Sequence, residues 1–142
     1  MGFDHRLRVR YSETDQMGVV HHANYLLYLE EARTSWMREL GCPYHELEAS
    51  GIGLPVRRAD LRYLSPARYE DELVVRTTIV GMRGASVRFA YEVHELESSR
   101  AILTGEIELA CVNLGQSPPR PRLLPDDLRA RFEALVTPRV QS

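Results

Sequence analysis

The sequence predicts an α+β fold: an antiparallel sheet of about five strands packed on one long helix, with a further helix near the C-terminal end. Three observations predict it. A short alternating segment lies near the start, a long segment of helical period follows from Asn24 to Leu40, and strand-like sequence then runs with few breaks from Leu54 to Val112.

Leu7, Val9 and Tyr11 alternate with Arg6, Arg8 and Arg10, the period of a half-buried strand that ends near Ser12. In the helical segment, Tyr25, Leu29, Ala32, Trp36 and Leu40 recur at steps of four, three, four and four residues and form one apolar stripe. Gly41 and Pro43 stop that helix. Leu26, Leu27, Tyr28 and Met37 lie off the stripe, so its apolar surface is wider than a surface helix needs, which implies cover from a second subunit as well as from the sheet. Tyr44 to Ala49 has no clear period.

Leu54 to Leu64 reads as a strand closed by Ser65-Pro66, and Leu73 to Val80 as a β-branched strand closed by Gly81 to Gly84. Val87, Phe89, Tyr91 and Val93 then alternate with Arg88, Ala90, Glu92 and His94, and the polar run Glu97 to Arg100 leads into a strand from Ala101 to Val112. Three successive strands joined by tight turns form an antiparallel meander. Pro118, Pro119, Pro121 and Pro125 mark an extended connection, after which Asp126-Asp127 opens a helix carrying Leu128, Phe132 and Leu135. The expected organisation is a single domain over residues 1–142, with its core at about 5–114 and the connection and last helix at 115–142.

Composition narrows the class of function. At 142 residues and 44% hydrophobic, the chain is long enough to bury a core without disulfides or metals. A net charge of −2 offers no basic field for nucleic acid. All 18 basic residues are arginine, which excludes Schiff-base and lysine-nucleophile chemistry and weakens the case for any single arginine as a selected anion ligand. Cys42 and Cys111 have no metal-ligand or redox spacing and read as reduced, buried thiols. No stretch reaches membrane-spanning length, and the N-terminal residues match neither a secretory signal nor a myristoylation pattern, so a soluble cytoplasmic protein is expected.

The chemistry concentrates in residues 10–25, RYSETDQMGVVHHANY. Asp15 precedes a bend at Gly18, and His21 and His22 stand where the helix begins. A carboxylate shortly before a helix N-terminus combines a base or nucleophile with free backbone N–H groups able to hold an oxyanion, which are the two requirements of acyl transfer.

Thr14-Asp15, Gly18, Val20, His22, Asn24 and Tyr25 resemble the signature of the 4-hydroxybenzoyl-CoA thioesterase family of hotdog-fold proteins. Leu64-Ser65-Pro66-Ala67-Arg68-Tyr69 followed by Asp71-Glu72-Leu73 is similar to that family's second recognisable stretch. The resemblance implies a sheet wrapped around the long helix, paired edge to edge into a homodimer and often doubled to a homotetramer. It places the catalytic acid on Asp15 and the carbonyl-polarising N–H on His22, whose imidazole is implicated in relatives acting on acyl-CoA. It also points to Asn24, Tyr25 and Ser65 near the substrate, and to Arg83 and Arg88 for the coenzyme A phosphates, with Arg57, Arg58 and Arg62 as competitors. Coenzyme A enters as part of the acyl-CoA substrate, and no metal, separate cofactor or nucleic-acid partner is expected.

The implied reaction is chemically economical. A thiolate, whose conjugate acid has a pKa of about 8.5, leaves without a strong general acid, so one carboxylate can suffice. Asp15 as nucleophile and Asp15 as base both place negative charge on the carbonyl oxygen, and the sequence does not separate them. Simpler roles compete with these. An Asp in a turn commonly caps nearby N–H groups, Glu13 reads as a solvated neighbour, and Asn24 is either a helix-start residue or a tie to the Asp15 loop. His21 and His22 are adjacent and make a poor metal pair, while His45 and His94 read as ordinary surface or turn residues. A hotdog hydratase or dehydratase is the competing enzyme, although its histidine-then-proline-glycine pattern is missing here. A non-catalytic thioester-binding scaffold is the reading from another class.

Overall fold

The computed structural model describes residues 2–137. Five antiparallel strands form the main sheet: β1 (Phe3–Arg8), β3 (Val56–Tyr63), β4 (Glu72–Arg83), β5 (Ser86–Glu95) and β6 (Ala101–Ala110), in the order β1-β4-β5-β6-β3. The strands β4, β5 and β6 make the expected meander, and β3 pairs with β6 rather than with its sequence neighbour, which leaves it as a free edge. A small second sheet joins β2 (Ile52–Gly53), β7 (Val112–Asn113) and β8 (Arg120–Pro121).

The sheet wraps helix α1 (Asn24–Glu39). Its buried residues are Tyr25, Tyr28, Leu29, Ala32, Arg33, Trp36 and Met37, so the stripe read from the sequence faces the sheet, broadened by Tyr28, Arg33 and Met37. Inward residues alternate along β5 as Val87, Phe89, Tyr91 and Val93. Phe89 lies edge-on to Trp36 and to Phe132 of helix α3 (Asp126–Leu135), with ring centroids 6.3 and 6.0 Å apart, while Phe3 stacks on Trp36 at 6.1 Å. Arg33 is the charged exception in this core, 7% exposed, with Nη1 donating to the Tyr91 hydroxyl at 3.0 Å.

Three local expectations differ from the structure. Strand β1 starts and ends earlier than the alternation indicates, and Tyr11 lies 76% exposed at the start of a single 3₁₀ turn over Tyr11–Glu13. The unassigned stretch after Pro43 is a short helix, α2 (Tyr44–Ala49). Gly81 does not close β4 but sits at a bulge inside it, where a side chain would collide with the Arg88 guanidinium; the turn itself falls at Gly84, with φ +58°. Leu26 and Leu27 remain exposed on α1. Cys111 is buried and Cys42 half-buried, both as free thiols. Residues 138–142, included in the expected C-terminal segment, lie outside the described residues, as does Met1.

Candidate active site

The connection from β1 to α1 is irregular, pinned by the buried Val9 and Val20 and held between them by hydrogen bonds. Val9 exchanges backbone bonds with the segment before β4, its N–H donating to Asp71 at 2.9 Å and its carbonyl accepting from Glu70 at 3.1 Å. The chain then turns at Asp15. The Asp15 carbonyl accepts from the Gly18 N–H at 2.9 Å, and its own N–H donates to Val19 at 2.9 Å. Gly18 has φ +78°, a conformation that favours glycine. Val20 returns to the body of the protein, donating to the Ala67 carbonyl at 2.8 Å.

The half-buried Asp15 side chain has one occupied and one open oxygen. Oδ1 accepts the Met17 N–H at 2.8 Å, the Asx-turn arrangement expected of a turn aspartate. Oδ2 has no partner among the described residues. Seven positions on, the N–H groups of His22 and Ala23 meet no acceptor among the described residues, whereas those of Asn24 and Tyr25 are taken by the His21 and His22 carbonyls at 2.9 and 3.3 Å. Ala23 caps α1 without a side-chain hydrogen bond, so the open donors are the two N–H groups immediately before the helix. An unengaged carboxylate oxygen and open N–H donors thus flank one turn of nine residues, Asp15 to Ala23. The His22 imidazole is exposed and packs on that of His21, with ring centroids 4.4 Å apart.

Asn24 acts as a tie to the loop: Nδ2 donates to the Glu13 carbonyl at 2.9 Å. Tyr25 is buried, and its hydroxyl accepts the Ala67 N–H at 3.1 Å. Burial pushes that hydroxyl above its ordinary pKa, with the Ala67 N–H opposing. Tyr25 meets Tyr28 and Tyr63 edge-on at 5.8 and 5.7 Å, an aromatic wall behind the turn. Ser65 is fully engaged within the chain, donating to Ala101 at 2.6 Å and accepting from Arg100 Nη1 at 2.8 Å.

The two arginines are not brought to this turn within one protomer. The turn packs on residues 67–71 just before β4, whereas Arg88 pairs with Gly81 and Arg83 pairs with Ser86 at the far end of that strand. Nine residues of strand separate Glu72 from Gly81, ~30 Å at about 3.3 Å per residue. Arg88 shares a 580 Å³ cleft on the outer face of the sheet with Arg58 and Arg62, where Asp60, Glu92, Glu106 and Glu108 set four carboxylates against three guanidinium groups. That balance gives the cleft no net positive field to draw a phosphate. Arg83 is exposed at the hairpin tip, and its guanidinium meets no partner among the described residues.

Two features of the site escape a reading of the sequence. Glu13, expected to be solvated, has a side chain only 13% exposed and is bonded to Tyr28 and Arg10. Arg100 clamps the Ser65–Ala67 segment from the β5–β6 turn, donating to Ser65 and to the Pro66 carbonyl at 2.7 Å, with Glu95 and Asp71 at 3.4 and 3.6 Å. Hydrogen bonds from Ser98 first, and from Arg100, hold the Glu95 carboxyl below its usual range. The Glu13 signal was present as an acid two residues before Asp15; Arg100, thirty-five residues from Ser65, had none.

The model of the thioesterase-like superfamily matches residues 9–132. The acyl-CoA thioester hydrolase YbgC of Escherichia coli O6:H1 is 35% identical over 127 residues, 89% of this chain and 92% of that protein. A hypothetical protein from Thermus thermophilus superposes with a TM-score of 0.87 at 34% identity, covering 96% of this chain and 99% of that one. DHNA-CoA thioesterase from Staphylococcus aureus superposes with a TM-score of 0.84 at 29% identity, covering 94% and 90%.

Proposed function

Because the chain belongs to the thioesterase-like superfamily and is a hotdog-fold acyl-CoA thioester hydrolase, we propose that its reaction runs on Asp15, with the open N–H groups at His22 and Ala23 as oxyanion donors. The observation that carries this reading is that Asp15 Oδ2 and the N–H groups just before α1, none of which meets a partner among the described residues, lie on one short loop. Either Oδ2 attacks the thioester carbon, or it takes a proton from an attacking water; in both cases the carbonyl oxygen becomes anionic and the thiolate of coenzyme A departs. Backbone donors already fixed in place need no reorganisation, and losing one such donor typically slows acyl transfer by about 100-fold or more. The His22 side chain is secondary in this proposal, because its N–H, not its imidazole, faces the developing charge.

Asn24 and Tyr25 serve the site by holding the turn and the Ala67 segment, and Ser65 serves through Arg100 rather than by touching substrate. A second subunit completes the pocket. The free edge of β3 and the exposed Met17, Leu26, Leu27, Tyr63, Leu64 and Tyr69 near the turn form the kind of apolar surface that a partner or an acyl chain covers. In a homodimer or homotetramer, Arg83 of a neighbouring copy is better suited than Arg88 to meet the coenzyme A phosphates, since it is exposed at a hairpin tip whereas Arg88 shares its cleft with four carboxylates. The narrower resemblance to the 4-hydroxybenzoyl-CoA branch and a cytoplasmic location belong to the same proposal. No helix among the described residues is long and apolar enough to cross a membrane.

The direct assay is release of free coenzyme A thiol from a panel of aliphatic and aromatic acyl-CoAs. Turnover of at least one is expected; hydration of an enoyl-CoA without thiol release would instead favour the hydratase reading, and binding without turnover the scaffold reading.

A further inference from the structure

The most heavily bonded residue around the Asp15 loop is Glu13, which the reaction as proposed does not use. Its carboxylate Oε1 accepts the Arg10 N–H at 2.7 Å and the Tyr28 hydroxyl at 2.9 Å, with the Arg10 guanidinium 3.6 Å from Oε2. Its backbone carbonyl accepts two more donors, the His21 N–H and Asn24 Nδ2, each at 2.9 Å. One residue therefore binds the segment that follows β1, both ends of the Asp15 loop and two successive turns of α1. The loop leaves Glu13 at Thr14 and returns to it at His21. Asp15 is two residues from one end of this closure, and the His22 N–H one residue from the other.

The strut is built for rigidity. The Glu13 side chain is 13% exposed and Tyr28 is 4% exposed, so water competes poorly for either group. Burial, then the bond to Glu13, raises the Tyr28 hydroxyl well above its ordinary pKa, which keeps it a donor. Tyr28 in turn sits edge-on to Tyr25, whose hydroxyl fixes Ala67 and, through it, Val20. The loop is thus held from below by Glu13–Tyr28 and from the side by Tyr25–Ala67.

Resting on the assignment of Asp15 and the His22 N–H, we propose that Glu13 is a positioning residue that sets the separation between the carboxylate and the oxyanion donor, with Tyr28 as its anchor on α1. It touches no substrate. A strut of this kind acts on the chemical step, because a displacement of about 1 Å in a reacting group can cost roughly 100-fold in rate while leaving substrate binding largely intact.

The test compares Glu13→Ala, Glu13→Gln and Tyr28→Phe with wild type on the best acyl-CoA of the panel, kcat and KM being measured well below each protein's Tm, beside Asp15→Asn. Glu13→Ala is expected to lower kcat by about 100-fold with KM within about threefold, and Tyr28→Phe to lower it by about tenfold. Glu13→Gln keeps an oxygen that accepts both bonds and is expected to remain within about threefold of wild type. The double substitution Glu13→Ala with Tyr28→Phe should be no slower than Glu13→Ala alone, because the two residues form one strut. An unimpaired kcat in Glu13→Ala beside an inactive Asp15→Asn overturns the proposal and leaves the Asp15 assignment standing. A Glu13→Gln as slow as Glu13→Ala also overturns it, since the charge and not the strut would then matter. If Glu13→Ala does not fold, a wild-type kcat in Tyr28→Phe gives the same negative answer. An Asp15→Asn with wild-type kcat fails the underlying assignment and takes the proposal with it.

Discussion

The two ends of helix α1 are held by different forces. At its C-terminal half, Trp36 lies between Phe3 and Phe89, and Phe89 meets Phe132, a run of ring contacts with no hydrogen bond among them. At its N-terminal half, the aromatic residues are tyrosines, and each hydroxyl is spent on a named partner: Tyr25 on Ala67, Tyr28 on Glu13. Packing of rings contributes free energy without fixing any one atom closely, whereas hydrogen bonds contribute less and fix atoms in place. The division matches the proposed chemistry, which would need a carboxylate and two N–H groups at set positions but little burial of its own.

Substitutions at the two ends should therefore separate stability from activity. Phe132→Ala is the largest effect expected: it removes a fully buried ring against Phe89 and should cost about 3–5 kcal/mol of stability, read as a fall in the urea midpoint. The protein that remains folded should keep its specific activity. Arg100→Ala, at the polar end, removes the clamp on Ser65 and Pro66 and should cost only about 1–2 kcal/mol, since the side chain is 37% exposed. It should nonetheless lower kcat, because the released segment carries Ala67, the partner of both Val20 and Tyr25.

The smallest effect is a pH dependence. Tyr25, Tyr28 and Tyr91 hold their protons more tightly than free tyrosine, and Cys42 and Cys111 more tightly than free cysteine, burial being the first cause in each case. The folded state therefore binds more protons than the unfolded chain once the pH passes the ordinary values of 9.0 for cysteine and 10.0 for tyrosine. The stability these groups contribute is whole below pH 9 and declines as pH rises through and beyond those values. The urea midpoint of wild type should fall over that range, and Tyr28→Phe should fall less steeply.

How much of this is legible in the sequence follows the same division. Helix α1 and the inward residues of β5 stand out because burial repeats with the period of the element, over enough residues for the pattern to be distinct. Helix α2 does not, since six residues make fewer than two turns and only Tyr44 and Leu47 face inward. Alternation carries the first strand too far, to Tyr11, because a periodic pattern does not register the Glu13 carboxylate reaching back to the Arg10 N–H and starting a 3₁₀ turn. Gly81 reads as a turn residue, yet its bareness serves the Arg88 side chain across the bulge. Asp15 and His22 are visible as a local motif. The groups that hold them, Glu13 through Tyr28 and Ser65 through Arg100, depend on contacts fifteen and thirty-five residues apart, and no local pattern encodes those.

The most direct test measures activity and stability together on Asp15→Asn. The substitution keeps an oxygen able to accept the Met17 N–H, so the turn should persist and the unfolding free energy read by urea titration should stay within about 1 kcal/mol of wild type. Coenzyme A release from the best substrate should fall by at least about 100-fold. A folded Asp15→Asn that turns over acyl-CoA at the wild-type rate would contradict the account.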